Sequence, residues 1–314
     1  MSRRLQLHSR HHCQASRGKQ EPEPEPLEPG RTGNRLATTI KRKQAQLQAT
    51  LKEMGEEALE EQLQAAGEFP VTPAHRFATL IECTIPTGRP VLVFELSRPS
   101  PSTTSSQLAE MAQRWVSWGA DALVVPTDAE VTSTGSADLL AVCRAVSVPV
   151  LQRDWILHPL QITDCKAAGA AGLLGIITQV SGRGTAVMSS YAAALGLDAP
   201  VEVCNRTDVQ AMSQAGVGLF GVNLAVGLSL ALPNFATDMA KGLLADLPFG
   251  AASLVGIRSF DEALKARLAG ADAIFVKNEL INPVLAERKP ANPYQKYGME
   301  GLIERLKDVT CGDD

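Results

Sequence analysis

The sequence contains few aromatic residues and no excess of either charge. Phe, Tyr and Trp make up 4% of its 314 residues, whereas hydrophobic residues of all kinds make up 45%. Most of the buried area must therefore come from Ala, Leu, Val and Ile, which suits packed layers of helices and strands. With 30 basic and 34 acidic residues the net charge is −4. This balance gives no electrostatic reason to expect a nucleic-acid partner.

Paired cysteines and long hydrophobic runs are also missing. The six cysteines are scattered and form no CxxC pair, so neither a disulfide framework nor a metal site is expected. Residues 209–237 carry no charge, and the most apolar part is Val217–Leu232. That part is shorter than the roughly 20 residues a membrane span needs and is interrupted by glycines. We therefore expect no transmembrane segment.

The N-terminal residues lack acidic side chains. Residues 1–20 are basic and serine-containing, which is typical of an organelle transit peptide, with a disordered basic tail as the alternative. A Pro/Glu-rich stretch that includes EPEPEPLEPG predicts a linker over residues 21–35.

Beyond the linker, the pattern of apolar residues changes once. Residues 36–66 show helical periodicity, which predicts an N-terminal helical extension over residues 36–80. After Pro70, short apolar runs alternate with helix-like segments, and the pattern predicts a (β/α)8 TIM barrel over residues 81–285 and a C-terminal extension over 286–314. The eight runs are Val91–Leu96, Ala122–Val125, Val148–Leu151, Gly172–Ile177, Val201–Cys204, Leu219–Asn223, Ser253–Val255 and Ala273–Val276.

An open doubly wound sheet is the alternative fold. Its dinucleotide loop would be the glycine pattern at residues 216–221. That pattern follows a helical segment and enters a strand, whereas the fingerprint must follow a strand and open a helix.

In a barrel, chemistry takes place at the carboxyl ends of the strands. Glu95, Asp154 and Glu202 stand at predicted strand ends and could act as acid or base. Arg153 could hold an anionic substrate group. The alternative is that these carboxylates pair with Arg98 and Arg153 as a ring of salt bridges.

Four segments at these strand ends match the motifs of a single enzyme family. FELSRPSPS at residues 94–102 is similar to that family's AEIKKASPS, and QRDWI at 152–156 to its KDFI. VEV at 201–203 is similar to VEVH, and GVN at 221–223 to the start of GINNRDL. The chain therefore resembles the indole-3-glycerol phosphate synthase family, and the resemblance is colinear over about residues 36–281.

The resemblance implies a reaction and a set of residues. The family forms indole-3-glycerol phosphate in tryptophan biosynthesis by ring closure, decarboxylation and dehydration, without a cofactor. The positions that match its catalytic residues are Glu95, Arg153, Glu202 and Asn223. The positions that match its substrate-binding residues are Ser100, Gly256, Lys277 and Asn278.

Several matched positions depart from the family pattern. Ser97 replaces the carboxylate-binding lysine, and Arg153 replaces the general-acid lysine, although a guanidinium cannot release its proton. Val255 replaces a substrate-contacting serine, and Lys277 and Glu279 replace the phosphate-cradling glycine and serine. Loss of one general acid lowers the rate by about 10²–10⁴-fold.

We therefore expect a divergent barrel that has lost efficient synthase activity and acts as an interaction or regulatory protein. An active synthase is the alternative, and an enzyme with a changed substrate that uses Glu95, Glu202 and Lys277 is a third. The loop after the sixth strand is apolar where the family is polar, which predicts a contact surface for a protein partner. Contact with a membrane surface is also possible from this pattern. The alternative is that the loop fills the vacated site. Its apolar residues are Leu224, Val226, Leu228, Leu230 and Leu232.

The resemblance also bears on location. Tryptophan synthesis in photosynthetic cells takes place in plastids, so the basic N-terminus predicts the chloroplast, in the stroma or associated with thylakoids. The mitochondrion is the alternative.

Overall fold

The computed structural model describes residues 31–68, 70–222, 235–287 and 296–311. The predicted transit peptide, most of the linker, Asn223 and the apolar loop lie outside the described residues.

The described residues form parallel strands that alternate with helices. The strands are β1 Val91–Glu95, β2 Ala122–Pro126, β3 Val150–Arg153, β4 Gly172–Leu174, β5 Ile176–Ile177, β6 Val201–Val203, β7 Leu219–Val222, β8 Ala252–Ile257 and β9 Ala273–Val276. The helices are α1 Arg31–Met54, α2 Glu56–Glu68, α3 Arg76–Thr84, α4 Ser105–Trp118, α5 Gly135–Ala145, α6 Pro159–Ala167, α7 Thr178–Ser181, α8 Gly184–Ala194, α9 Arg206–Gln214, α10 Phe235–Asp246, α11 Phe260–Leu268, α12 Asn278–Leu285 and α13 Gly298–Cys311.

One sheet contains all the described strands, in the order β4-β3-β2-β1-β9-β8-β7-β6-β5. Only Gly175 separates β4 from β5, so these two segments are halves of one barrel strand, and the ring is an eight-stranded barrel. Gly175 has φ +111°, and a Cβ there would lie 1.6 Å from the carbonyl oxygen of Asp154. This close approach requires glycine at the break. The predicted (β/α)8 fold is confirmed.

Side chains along the strands alternate between two hydrophobic clusters. Val91, Val93 and Phe275 belong to a cluster inside the barrel, whereas Leu92 and Phe94 belong to the larger cluster between sheet and helices. This period of two follows from the pleat of each strand. Most residues on both faces of the strands are buried, which explains the continuous apolar runs in the sequence.

The N-terminal extension runs from one end of the barrel to the other. Its predicted single helix is divided at Gly55, which has φ +81°, and α1 already begins at Arg31, inside the predicted linker. Helix α1 reaches the carboxyl ends of β2 and β3 through side-chain contacts described below. Phe77 and Ile81 of α3 join the inner cluster, so α3 closes the opposite end of the barrel.

Helix α13 packs in the outer layer of the barrel. Met299, Leu302, Ile303 and Leu306 are buried in the outer hydrophobic cluster. The sequence pattern predicts a C-terminal extension here, yet the packing of this helix completes the ring of helices around the sheet. Within the described residues, no helix has both the length and the apolar character to cross a membrane.

Candidate active site at the barrel mouth

The carboxyl ends of the strands bring four of the predicted site residues to the top of the barrel. Glu95 ends β1, Arg153 ends β3, Glu202 lies in β6 and Lys277 directly follows β9. Because inward-facing residues alternate along each strand, Glu95 continues the inner series of Val91 and Val93. These four side chains form what we call the mouth cluster.

Glu95 is held by two partners within the protein. Its residue is only 2% exposed. The Nη1 group of Arg153 donates to Oε1, and the backbone N–H of Asn278 donates to Oε2 over 3.0 Å. Both carboxylate oxygens are therefore engaged, and the expected pairing of a mouth carboxylate with Arg153 is present.

Arg153 leaves part of its guanidinium at the surface of the mouth. The side chain is 44% exposed, and its Cζ lies 6.0 Å from the centroid of the Phe275 ring. The positive charge is thus placed over an aromatic face while one nitrogen bonds Glu95. A cation in this position can bind an anionic group that enters the mouth.

Lys277 lies across the position at which β8 has no side chain. A Cβ on Gly256 would lie 2.6 Å from Cε and 3.1 Å from Nζ of Lys277. Burial lowers the pKa of the Lys277 amine, and the charge of Arg153 lowers it further, against the opposing effect of Glu202 and Glu279.

Glu202 of β6 lies against a glycine of the adjacent strand β7, just as Lys277 lies against Gly256 of β8. A Cβ on Gly221 of β7 would lie 3.1 Å from Cγ of Glu202. The two glycines therefore leave the room that Glu202 and Lys277 fill.

Asp154 belongs to a separate, buried network in which α1 meets the barrel. Nζ of Lys43 lies 2.6 Å from Oδ1 of Asp154 and 3.7 Å from Oδ1 of Asp128. Nη2 of Arg42 lies 3.1 Å from Oδ2 of Asp128. Burial raises the pKa of Asp154, and the hydrogen bond and charge of Lys43 oppose that rise. Asp154, expected as an acid or base, therefore anchors the N-terminal helix.

Lys43 and Arg42 were not among the residues expected at the barrel mouth. A signal was present, since Lys43 falls between Ile40 and Leu47 at helical spacing and so stands on the apolar stripe of the helix. A charged residue on a buried stripe requires a partner. The sequence alone does not show which carboxylate that partner is.

Arg98 pairs with a different carboxylate from those expected. It donates to Asp138 of α5 through Nε over 2.8 Å and Nη2 over 2.7 Å. Burial alone would raise the pKa of Asp138, but hydrogen bonds from Arg98, Ser105 and Thr134 outweigh burial and lower it. The expected ring of salt bridges is therefore wrong for Arg98.

The remaining predicted site residues have separate positions. The hydroxyl of Ser97 accepts from Nδ2 of Asn278 over 2.9 Å, beside the mouth cluster. Ser100 bonds Ser102 within its own turn. The side chain of Val255 is buried in the outer cluster, on the helix side of β8.

A cavity of about 670 Å³ lies at the other end of the barrel. Its lining includes Ile81 and Glu82 of α3, Leu219 and Ala252 at the starts of β7 and β8, and Asp272 before β9. Across the described part of the chain, no group of three or more His, Cys, Asp or Glu side chains is placed to hold a metal ion.

The fold and the mouth cluster define the class of the protein. A parallel (β/α)8 barrel with carboxylates and cations at its strand ends is a TIM barrel, a fold whose characterised enzymes have their active sites at this face. Residues 36–284 match the sequence profile of the family described as Indole-3-glycerol phosphate synthase. The chain belongs to the indole-3-glycerol phosphate synthase family.

Similar proteins support this assignment. An indole-3-glycerol phosphate synthase of Rhodococcus opacus is 32% identical over 195 residues, 60% of this chain and 72% of that protein. One from Opitutus terrae is 30% identical over 209 residues, 62% of this chain and 77% of that protein. Among solved structures, an N-acetylmannosamine-6-phosphate 2-epimerase from Clostridium perfringens has a TM-score of 0.51 at 13% identity, covering 63% of this chain and 90% of that one. That likeness concerns the fold alone.

Proposed function

We propose that this member of the family has lost efficient synthase activity and serves as an interaction or regulatory protein. The observation that carries the proposal is the burial and bonding of the Glu95 carboxylate. This carboxylate matches a catalytic position of the family, yet it is buried and both of its oxygens are bonded to Arg153 and Asn278. A general acid or base must come within hydrogen-bond reach of the reacting group.

The phosphate-binding side of the mouth supports the same proposal. The resemblance assigns the phosphate to backbone amides after the last strand of the barrel. Here the side chain of Lys277 covers Gly256, and the N–H of Asn278 is donated to Glu95. A phosphate group bound to free backbone amides would have to displace both contacts.

The residue at the position of the family's general acid is also changed. Arg153 keeps the positive charge of the family's lysine but cannot give up a proton near neutral pH. The hydroxyl of Ser97 is bonded to Asn278 in place of a lysine that would hold the substrate carboxylate.

An active synthase is the second candidate. It is favoured by the presence of Glu95, Arg153 and Glu202 together at the mouth and by the synthase names of relatives near 30% identity. Catalytic hydrogen bonds often tighten only when substrate is bound.

Complementation separates the two candidates. The full chain is expressed in a tryptophan-requiring strain that lacks the synthase, beside the same chain carrying Ser97→Lys, Arg153→Lys, Lys277→Gly and Glu279→Ser. The proposal expects no growth from the wild-type chain and, if the altered positions account for the loss, growth from the restored one. A matched control carries Lys241→Gly, which changes an exposed lysine of α10. Growth supported by the wild-type chain would establish the second candidate.

The partner and the location are proposed from the sequence alone. We propose that a protein partner contacts Leu228 and Leu230, and that the chain works in the chloroplast. Affinity capture from plastids with the Leu228→Asp, Leu230→Asp variant should lose a partner that the wild-type chain retains. Unchanged capture, or a fluorescent fusion found in mitochondria, would overturn the respective proposal.

A further inference from the structure

Lys277 is an unusual lysine because the barrel directs it inward. It follows β9 two residues after Phe275, which belongs to the inner cluster, so the period of two places Lys277 on the same side. Its Cε packs where Gly256 has no side chain. The amine is therefore held within the mouth by the walls of two strands.

Charged groups from four elements face this amine. They are Arg153 at the end of β3, Glu202 in β6, Glu279 in α12 and Arg258 after β8. Burial lowers the pKa of Lys277, Arg153 and Arg258 act in the same direction, and the two carboxylates oppose them. A partly desolvated lysine beside another cation is the arrangement that converts an ammonium group into a nucleophilic amine.

The geometry points to Lys277 as a nucleophile that forms an imine with a small α-keto acid, whose carboxylate is bound by Arg153. This activity is separate from the proposed function and does not depend on whether synthase turnover has been lost.

A carboxylate fits this mouth better than a phosphate. The Asn278 N–H, which could cradle a phosphate, is already donated to Glu95, and Lys277 covers Gly256. Arg153 bonds Glu95 through Nη1, and a planar guanidinium has further N–H groups with the geometry that a carboxylate requires. The keto carbon beside that carboxylate would then lie on the side of the mouth that contains Lys277.

The reaction balances without an oxidant or a reductant. The lone pair of the neutral Lys277 amine forms a C–N bond to the keto carbon, and the C=O pair moves to oxygen. A proton passes from nitrogen to that oxygen, with Glu202 placed to transfer it, and gives a carbinolamine. The hydroxyl group then takes up the proton that remains on nitrogen, again by way of Glu202, and leaves as water while the nitrogen lone pair forms the C=N bond.

Reductive trapping tests the proposal. The full chain is incubated with pyruvate and cyanoborohydride near pH 7, and modified lysines are located by peptide mass spectrometry. We expect the adduct to form faster at Lys277 than at the exposed Lys241, because the lowered pKa of Lys277 leaves more of its amine neutral at this pH. Adducts spread equally over exposed lysines, or none at Lys277, would overturn the proposal.

Three variants and a second probe sharpen the test. Lys277→Arg should abolish the adduct while its unfolding curve stays that of a folded protein, whereas Lys241→Arg should leave the Lys277 adduct unchanged. Hydroxyacetone, which lacks a carboxylate, should react more slowly than pyruvate, and Arg153→Gln should remove that preference. An equal rate for the two carbonyl compounds in the wild-type chain would refute the role of Arg153.

Discussion

The two sides of the barrel mouth use charged residues in opposite ways. On the side of β2 and β3, Asp128 and Asp154 are bonded to Arg42 and Lys43 of α1. On the side of β7 to β9, the amine of Lys277 lies over Gly256 and has a lowered pKa. A charge at a strand end can therefore serve packing or chemistry, and the partners of the charge decide which.

Among the charged residues of the mouth, removal of Lys43 should have the largest effect on stability. Lys43→Met leaves Asp154 buried without its cation, which should lower the free energy of unfolding by about 3 kcal/mol at neutral pH. The pKa of Asp154 is already raised. The loss of unfolding free energy in the variant should therefore shrink in acid, where Asp154 takes up a proton. Urea unfolding at several pH values measures this. Lys41→Met, at an exposed position of the same helix, should change stability by less than about 0.5 kcal/mol.

Asp138→Asn should have the next largest effect. It removes charged hydrogen bonds with Arg98, Ser105 and Thr134 and should cost about 2 kcal/mol. The folded-state pKa of Asp138 lies below 3.8, so its stabilisation is present above pH 3.8 and is lost as the pH falls through the lowered value. The difference between wild type and variant should therefore disappear in strong acid. A stability difference that stays constant down to about pH 2 would contradict this pH dependence. Asp261→Asn, in an exposed pair with Lys265, should cost less than about 0.5 kcal/mol.

Lys277→Met should act in the opposite direction to Lys43→Met. It removes a cation that burial disfavours, so stability at neutral pH should stay equal or rise by about 1 kcal/mol. Because the pKa of Lys277 lies below 10.5 when folded, the gain should fade as the pH rises from that lowered value towards 10.5. Thermal unfolding of both variants under one set of conditions compares the two sides directly. A loss of stability as large as that of Lys43→Met would show that the sides are alike.

Gly256→Ala should have the smallest effect on stability. The new methyl group would meet Cε of Lys277 at 2.6 Å, and a flexible lysine can move away, so the change should stay below about 1 kcal/mol. The amine should nevertheless leave its place, and trapping of pyruvate at Lys277 should slow. Gly172→Ala is the contrasting variant, because its methyl group would meet the backbone carbonyl oxygen of Asp198 at 1.9 Å. That variant should be severely destabilised.

The barrel could be predicted from the sequence because its signal is local. Each strand is buried on both faces, so the apolar runs mark the strands without any knowledge of their partners. The site was predicted less completely. Glu95, Arg153, Glu202 and Lys277 were found because strand ends meet at one face, but the pairing of Glu95 with the N–H of Asn278 joins residues 183 positions apart. Such contacts depend on side-chain direction and on the closure of the ring, which no short motif contains.

The most direct test of the central claim is the rate of indole-3-glycerol phosphate formation. The purified full chain and the Rhodococcus opacus synthase are assayed side by side with the synthase substrate. With the general acid and the phosphate site both altered, we expect a kcat/KM for this chain at least about 10⁴-fold below that of the relative. A value within about tenfold of the relative would contradict it.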